Sequence, residues 1–227
     1  MTPTPLAPIS LAPHVVVFDY GDVISLEPSA ADRAALTARA GVDAADPAFW
    51  QAYWAHREPL DQGTASIAEY WAAIAGDLGT SWSPIDVHEL WALDHRGWLS
   101  VNPGTLAVLH ALADGGTRLA LLSNAAADYT GWLRHGSFGA LFERVFVSGE
   151  LKLVKPGAPI YEHVIAELGI EPAQLLFVDN RAENVEGARA VGGDGHVFTD
   201  AAGLEGWLRS LAAGADGADG AGAEAGA

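Results

Sequence analysis

Residues 14–25 read HVVVFDYGDVIS and carry the strongest single clue to the fold. The apolar run Val15–Phe18 is short and shows no polar alternation, which is typical of a strand covered on both faces. Such strands occur in parallel sheets that carry helices on both sides. The run ends at Asp19, and ligands of open parallel sheets bind beyond the carboxyl ends of the strands. The segment therefore predicts the first strand of an α/β sheet, with Asp19 at its functional edge.

After this strand the hydrophobic pattern changes twice. Residues 27–97 show helical periodicity and many aromatic side chains, so we predict an all-helical insert. From residue 98 to 211, short apolar runs alternate with helical stretches, as in a parallel α/β sheet. Further strands are predicted at 119–122, 145–147, 175–178 and 196–198. The sequence thus predicts an α/β core, 14–26 and 98–211, interrupted by a helical insert.

Both ends of the chain are expected to lie outside this core. Residues 1–13 contain four prolines and no basic segment of a signal peptide, so we predict a flexible leader. Residues 212–227 consist of alanine, glycine and acidic residues. These side chains have little to bury, and we predict a disordered tail.

The composition narrows the possible functions. The chain has 227 residues, is 50% hydrophobic and carries a net charge of −17. It can bury a core, but it lacks the basic surface that nucleic acids and anionic membranes require. It has no cysteine, which excludes a thiol nucleophile and a thiolate zinc site. We expect a cytoplasmic protein that acts on a small molecule, with no nucleic-acid or membrane partner and an undetermined oligomeric state.

Polar residues also follow the other predicted strands. Serine and aspartate are common helix N-caps, and lysine is common in surface loops, so each residue taken alone has an ordinary structural explanation. Together with Asp19, however, a second carboxylate, a hydroxyl and an ammonium at one sheet edge predict a site for a phosphate and a cation. The residues concerned are Ser123 and Asn124 after 119–122, Lys155 in the loop after 145–147, and Asp179 and Asn180 after 175–178.

Four motifs in this order resemble those of the haloacid dehalogenase-like hydrolases with an inserted helical cap. They are VVVFDYGDVIS (15–25), LALLSN (119–124), SGELKLVKPGAPIYE (148–162) and LLFVDNRAENVEGARAVG (175–192). The resemblance extends from about residue 13 to 211. It implies a Rossmann-like parallel sheet of strand order 5-4-1-2-3, with residues 27–97 as a cap that closes over the site and excludes water.

The resemblance also implies a reaction. In the family, the aspartate at the position of Asp19 attacks phosphorus and forms an aspartyl-phosphate, which water then hydrolyses. Ser123 and Asn124 would bind the phosphate, and Lys155 would balance the charge of the nucleophile and the phosphate. The leading prediction is therefore a phosphatase that acts on a small phosphorylated metabolite, with Asp19, Ser123 and Lys155 as its catalytic residues.

Mg²⁺ is the cofactor that the resemblance implies. Its ligands would be Asp19, the backbone carbonyl of Gly21, and a residue of the fourth motif. That residue is Asp179 or, as a weaker candidate, Asn180. Magnesium prefers such oxygen ligands and keeps several waters.

The sequence departs from the family pattern at two positions. Most family phosphatases have an aspartate at the position of Gly21, where it protonates the leaving oxygen. General acid catalysis contributes about 10²–10⁴-fold, so its loss favours anomeric, acyl or aryl phosphates, or requires that Asp22 or a residue of the insert supply the proton. The family also commonly has two adjacent acidic residues where Asp179 and Asn180 stand, so we predict Mg²⁺ binding that is weaker than usual.

Two other functions stay open at this stage. A true 2-haloacid dehalogenase attacks carbon, so it needs neither a metal nor a general acid, and Gly21 would be no handicap. A non-catalytic phosphate-binding or regulatory protein could keep the fold after losing part of the site. In the insert, Trp50 and Trp54 share a helix face and belong either to its own core or to a substrate pocket. Arg57 could bind a distal anion or simply face solvent.

Overall fold

A parallel five-stranded sheet forms the centre of the protein. The computed structural model describes residues 5–220, with side chains as far as residue 214. The strand order is β3-β2-β1-β4-β5, which is the predicted order read from the other edge. The Rossmann-like α/β fold class is therefore confirmed. The strands are β1 Val15–Phe18, β2 Arg118–Ser123, β3 Arg144–Val147, β4 Leu175–Asp179 and β5 Asp194–Val197.

Strand β1 occupies the middle of the sheet because both of its edges are paired and both of its faces are covered. Val16 and Phe18 belong to one hydrophobic cluster, and Val15 and Val17 belong to the other. This alternation is the two-residue period of a strand. In the parallel register, β1 pairs with β2 on one side and β4 on the other. The residues that follow these three strands therefore emerge at the same edge.

All the secondary-structure elements within residues 27–97 are helices. Serine side chains cap three of them in capping boxes, at Ser29, Ser66 and Ser83. Gly41 ends the first helix with a φ of 76°, a left-handed conformation that favours glycine. The helices are α1 Ala30–Ala40, α2 Pro47–Ala55, α3 Arg57–Asp61, α4 Ile67–Asp77 and α5 Pro84–Gly97.

Two neighbouring chain segments join the helical insert to the sheet. Ser25 on the way out forms an antiparallel bridge with Val101 on the way back. The backbone N–H of Leu26 donates to the carbonyl of Ser100 at 2.7 Å. The insert is therefore tied at its base, close to the residues that follow β1.

The remaining helices cover both faces of the sheet. Apolar residues of α6 and α11 pack in one hydrophobic cluster, and those of α9 pack in the other. Among the described helices, none combines the length and the apolar character needed to cross a membrane. These helices are α6 Pro103–Asp114, α7 Tyr129–His135, α8 Ser148–Leu151, α9 Ala158–Leu168, α10 Ala182–Ala190 and α11 Ala201–Gly220.

The prediction of a flexible leader is wrong for residues 5–13. Ile9 and Leu11 are buried in the core. The N–H of Ile9 donates to the carbonyl of Ala111 at 2.8 Å, and the hydroxyl of Thr117 accepts from the N–H of Leu11 at 3.0 Å. Two apolar side chains and these backbone hydrogen bonds hold the proline-rich segment in place. Residues 1–4 lie outside the described residues.

The prediction of a disordered tail is wrong for residues 212–220. Helix α11 runs to Gly220. Its first half buries Leu204 and Leu208 in the core. Glycine and aspartate recur in residues 212–220 and are poor helix formers, so the composition of this segment alone does not explain the continuation of the helix. Residues 221–227 lie outside the described residues.

Candidate active site

Three of the polar residues singled out in the sequence lie at the carboxyl ends of neighbouring strands. Ser123 is the last residue of β2, Asp179 is the last residue of β4, and Asp19 directly follows β1. The N–H of Asp19 donates to the carbonyl of Val178 at 2.8 Å, which extends the pairing with β4. All three side chains are buried. The topology of the sheet therefore brings them to one edge, as the sequence predicts.

Lys155 reaches this edge from the loop between α8 and α9. Its Nζ lies 2.8 Å from Oδ1 of Asp19 and 2.7 Å from Oδ2 of Asp179. It also donates to the carbonyl of Leu122 at 3.1 Å. The three contacts match the three N–H donors of an ammonium group. The lysine is 5% exposed, so it is a fixed, buried cation between two carboxylates.

Asn124 holds the backbone of Lys155 in place. Its Nδ2 donates to the carbonyl of Lys155, and its Oδ1 accepts from the N–H of Lys155, both at 3.0 Å. Both ends of the side-chain amide are therefore engaged in positioning the lysine loop. A contact between Asn124 and a phosphate stays a prediction.

The carboxylate of Asp179 is saturated with hydrogen bonds. Besides Lys155, Asn184 donates to Oδ1 at 3.1 Å and to Oδ2 at 3.0 Å, and the N–H of Arg181 donates to Oδ1 at 2.8 Å. Together they fill the roughly four lone-pair positions of a carboxylate. Asp179 thus anchors Lys155, and Asn184 orients Asp179. Binding a metal through Asp179 would require the exchange of one of these bonds.

Burial dominates the electrostatics of the site. It raises the pKa of Asp19 to about 7, while the ammonium of Lys155 opposes this shift and the carboxylate of Asp179 adds to it. Burial acts to lower the pKa of Lys155, but the two carboxylates outweigh it, and its pKa is raised. The lysine stays charged at neutral pH. With both carboxylates ionised, the group carries a net negative charge, which a bound cation would offset.

Gly21 stands at the position where most family phosphatases have the general acid, and no other side chain of the described residues takes that place. A Cβ built on Gly21 would lie 3.8 Å from the ring of Trp98. The neighbouring Asp22, the alternative acid, has a φ of 58°. Its Oδ2 accepts from Nδ2 of Asn180 at 3.2 Å. In this arrangement, Asp22 turns toward Asn180 at the end of β4.

The donor set at this edge fits a small, hard cation. Asp19 offers a carboxylate, Gly21 a backbone carbonyl and Asn180 an amide oxygen, all of which are oxygen ligands of the kind Mg²⁺ prefers. Among the described residues, no group of three or more His, Cys, Asp or Glu is placed to hold a metal ion. A cation here would draw on the neutral oxygens of Gly21 and Asn180 as well as on Asp19, and its weak binding stays a prediction.

We expect Asn180→Asp to strengthen Mg²⁺ binding by at least about tenfold, because it adds a charged oxygen to a set with few charges. Isothermal titration calorimetry of Mg²⁺ into both proteins measures the change. Glu183→Gln is the control, because Glu183 is exposed and paired with Arg181. Unchanged affinity in Asn180→Asp, or micromolar binding by the wild type, would contradict the prediction.

The helical insert contains a buried ionic network around Arg57. Its Nε lies 3.0 Å from Asp61 and its NH1 lies 3.0 Å from Asp94. NH1 also donates to the hydroxyl of Tyr53 at 2.9 Å, and Tyr53 in turn donates to Asp94. Arg57 is therefore neither solvated nor free to bind a ligand anion, because two carboxylates of the insert already hold it.

The insert touches the core at points that the sequence did not reveal. The hydroxyl of Ser148 donates to the carbonyl of Asp61 and accepts from the N–H of Ala125 at 2.9 Å. Nε1 of Trp91 donates to Asp128 at 2.6 Å. The partners in these contacts are far apart in the chain. Of them, only Ser148 directly follows a strand, which is the signal that the sequence analysis used. Only the tertiary structure brings them together.

Comparison with known proteins identifies the family. A scan against protein families matches residues 16–192 to the haloacid dehalogenase-like hydrolases. A sesquiterpene phosphatase of Aspergillus oryzae is 31% identical over 105 residues, which are 46% of this chain and 54% of that protein. The (S)-2-haloacid dehalogenase 1 of a Pseudomonas species is 31% identical over 101 residues, 44% of each chain. The match thus spans about half the length of these curated relatives.

Solved structures share the fold. A haloacid dehalogenase family enzyme of Bacteroides thetaiotaomicron, in complex with magnesium and inorganic phosphate, is 20% identical with a TM-score of 0.63 and covers 82% of this chain and 94% of its own. The L-2-haloacid dehalogenase of Xanthobacter autotrophicus, with chloropropionic acid covalently bound, is 23% identical with a TM-score of 0.60 and covers 80% and 76%. On the family match and this shared architecture, the chain belongs to the haloacid dehalogenase-like hydrolases.

Proposed function

We propose that this hydrolase is a phosphatase that transfers the phosphoryl group of a small monoester to Asp19 and then to water. The observation that carries the proposal is the contact of Lys155 with Asp19 at 2.8 Å. A carboxylate can attack an anionic ester only where positive charge is fixed beside the reacting atoms. Lys155 supplies such a charge, and its contacts with Asp179 and Leu122 prevent it from moving away.

The reaction has two displacement steps. A carboxylate oxygen of Asp19 forms a bond to phosphorus, and the bond from phosphorus to the ester oxygen breaks, so that the electron pair stays on that oxygen. Water then attacks phosphorus while the bond from phosphorus to the Asp19 oxygen breaks, so that inorganic phosphate leaves with the protons of water and the carboxylate of Asp19 is regenerated. Ser123, at the end of the adjacent strand, would donate a hydrogen bond to a phosphoryl oxygen. Because position 21 is glycine, the leaving group itself must tolerate its negative charge.

Mg²⁺ is the proposed cofactor, supported by the chemistry of the oxygens at the site and by the magnesium in the Bacteroides enzyme. When bound, it would supply positive charge to the phosphoryl oxygens. Asp19, the carbonyl of Gly21 and Asn180 are the residues that would hold it, with Asp179 available only after losing a hydrogen bond. The helical insert would act as a cap, in keeping with its contacts to the core through Ser148.

A 2-haloacid dehalogenase is the second candidate. Two observations favour it: the missing acid at Gly21, which attack on carbon does not need, and the saturated carboxylate of Asp179. Against it, Asp179 keeps a second carboxylate at the site, and a dehalogenase would bind no Mg²⁺ to offset its repulsion of a haloacid anion. Arg57 of the insert is held by two carboxylates. We therefore rank the phosphatase first.

Hydrolysis of 4-nitrophenyl phosphate tests the proposal, because its leaving group needs little protonation. We expect turnover that requires Mg²⁺ and that falls by at least about 10³-fold in Asp19→Asn, which removes the nucleophile. Asp114→Asn is the matched control, since Asp114 is an exposed residue at the end of α6. Release of 4-nitrophenolate is followed by absorbance.

The same experiment separates the alternatives. Mg²⁺-dependent turnover that survives in Asp19→Asn would overturn Asp19 as the nucleophile. No turnover by the wild type, combined with chloride release from 2-chloropropionate, would establish the dehalogenase instead. Phosphate binding with neither reaction would indicate a binding protein.

A further inference from the structure

The helical insert contains an aromatic pocket beside the candidate active site. Its volume is ≈ 310 Å³, which is in the range of small-molecule sites. Helices α1, α2 and α5 line it, and four aromatic rings contribute to its wall. One of them, Trp54, is 56% exposed, which is unusual for a tryptophan. The four aromatic residues are Trp50, Tyr53, Trp54 and Trp98.

The polar atoms of two of these rings are turned to the protein. Nε1 of Trp50 donates to the carbonyl of Ala44 at 3.1 Å. The hydroxyl of Tyr53 donates to Asp94. What these rings can offer to a ligand is therefore their apolar surface, which favours flat or hydrocarbon groups.

The charged groups that line the pocket are paired with one another or with neighbours. Arg33 contacts Glu27 at 2.6 Å, and Asp32 contacts Arg96 at 3.0 Å. Asp94 is held by the buried Arg57. The carboxylates among the lining residues outnumber Arg33, their one arginine. A second anionic group on a ligand would meet carboxylates and no uncommitted cation, so the pocket favours an uncharged group.

Trp98 connects this pocket to the nucleophile. Its side chain lines the pocket, and its ring lies 3.8 Å from the place of a Cβ on Gly21, two residues after Asp19. Its carbonyl accepts a hydrogen bond from the hydroxyl of Tyr20 at 2.6 Å. Trp98 is therefore the residue that the pocket shares with the surroundings of Gly21.

From this arrangement we propose that the pocket receives the leaving group of the substrate, and that this group is uncharged and apolar, such as an aryl ring. The inference rests on the proposed phosphatase function. Trp54 is the specificity-determining residue, because it presents its ring to the pocket from the exposed side.

Two phosphates with good leaving groups test the proposal. 1-Naphthyl phosphate carries an aryl group that can fill the pocket, whereas acetyl phosphate does not. We expect Trp54→Ala to lower kcat/KM for 1-naphthyl phosphate by about tenfold and to leave that for acetyl phosphate within about twofold. Ile85→Ala is the matched control, since Ile85 is another exposed apolar residue of the insert and lies at the far end of α5.

Binding of the alcohol alone separates this inference from the proposed function. We expect 1-naphthol to bind Trp54→Ala about tenfold more weakly than it binds the wild type. We also expect the wild type to bind 1-naphthol more tightly than 1-naphthoate. Equal losses for both phosphates, no loss for either, or tighter binding of naphthoate would overturn the pocket assignment. A higher kcat/KM for glucose 1-phosphate than for 1-naphthyl phosphate that depends on Trp54 would overturn the assignment of the pocket to apolar groups. No turnover of either phosphate would overturn the proposed function, and naphthol binding would then decide whether the pocket takes apolar ligands.

Discussion

Replacing Lys155 by methionine should lower the free energy of unfolding by about 3–5 kcal/mol, which is the usual cost of removing one partner from a buried ionic group. Methionine has a similar length and can pack beside Phe177, whose ring centre lies 5.2 Å from Nζ. The loss is therefore electrostatic. Without the ammonium, Asp19 and Asp179 are two buried carboxylates at one sheet edge, and the pKa of Asp19 should rise further because its main lowering influence is gone.

Denaturant unfolding of matched variants measures this effect. Lys152→Met is the control, because Lys152 is exposed and lies three residues away. Asp179→Asn combined with Lys155→Met should recover part of the stability, since it removes the buried carboxylate that the loss of Lys155 leaves without a cation. A loss below about 1 kcal/mol in Lys155→Met would contradict the prediction, because exposed ion pairs contribute that little.

The positions of Asp19, Ser123 and Asp179 could be predicted because they depend on local pattern and topology alone. An apolar run ends, a polar residue follows, and parallel strands bring such residues to one edge. The distances within the group could not be predicted in the same way. The reach of Lys155 depends on the loop that Asn124 holds, and the saturation of Asp179 depends on Asn184, one helical turn further on.

The errors at the two ends of the chain have a common physical cause. The composition of a segment indicates how much apolar surface it could bury. It does not indicate whether the folded core offers a site where the segment can pack. Leu11 finds the hydroxyl of Thr117, which is 106 positions away. Leu208 is buried against the core and anchors helix α11, which continues to Gly220. The same limit applies to Trp98, whose place beside Gly21 arises where the insert returns to the sheet.

Gly21→Asp should raise kcat/KM for an alkyl phosphate such as ethyl phosphate by about 10²-fold, because it restores a general acid for a leaving group that cannot carry negative charge. The structure has room for the change. Gly21 does not have a positive φ, and the new Cβ would meet the ring of Trp98 at 3.8 Å, an ordinary van der Waals distance. The fold should therefore accept the aspartate with little loss of stability.

The decisive quantity is the ratio of kcat/KM for ethyl phosphate to that for 4-nitrophenyl phosphate. The added negative charge weakens phosphate binding for both substrates, so this effect cancels in the ratio, whereas proton donation helps only the alkoxide. Gly21→Asn is the matched control, since asparagine has the same shape and no acidic proton to give. If the aspartate and asparagine variants show the same ratio, position 21 does not reach the leaving oxygen. In that case, the proton must come from another group, and Asp22, now hydrogen-bonded to Asn180, becomes the residue to replace next.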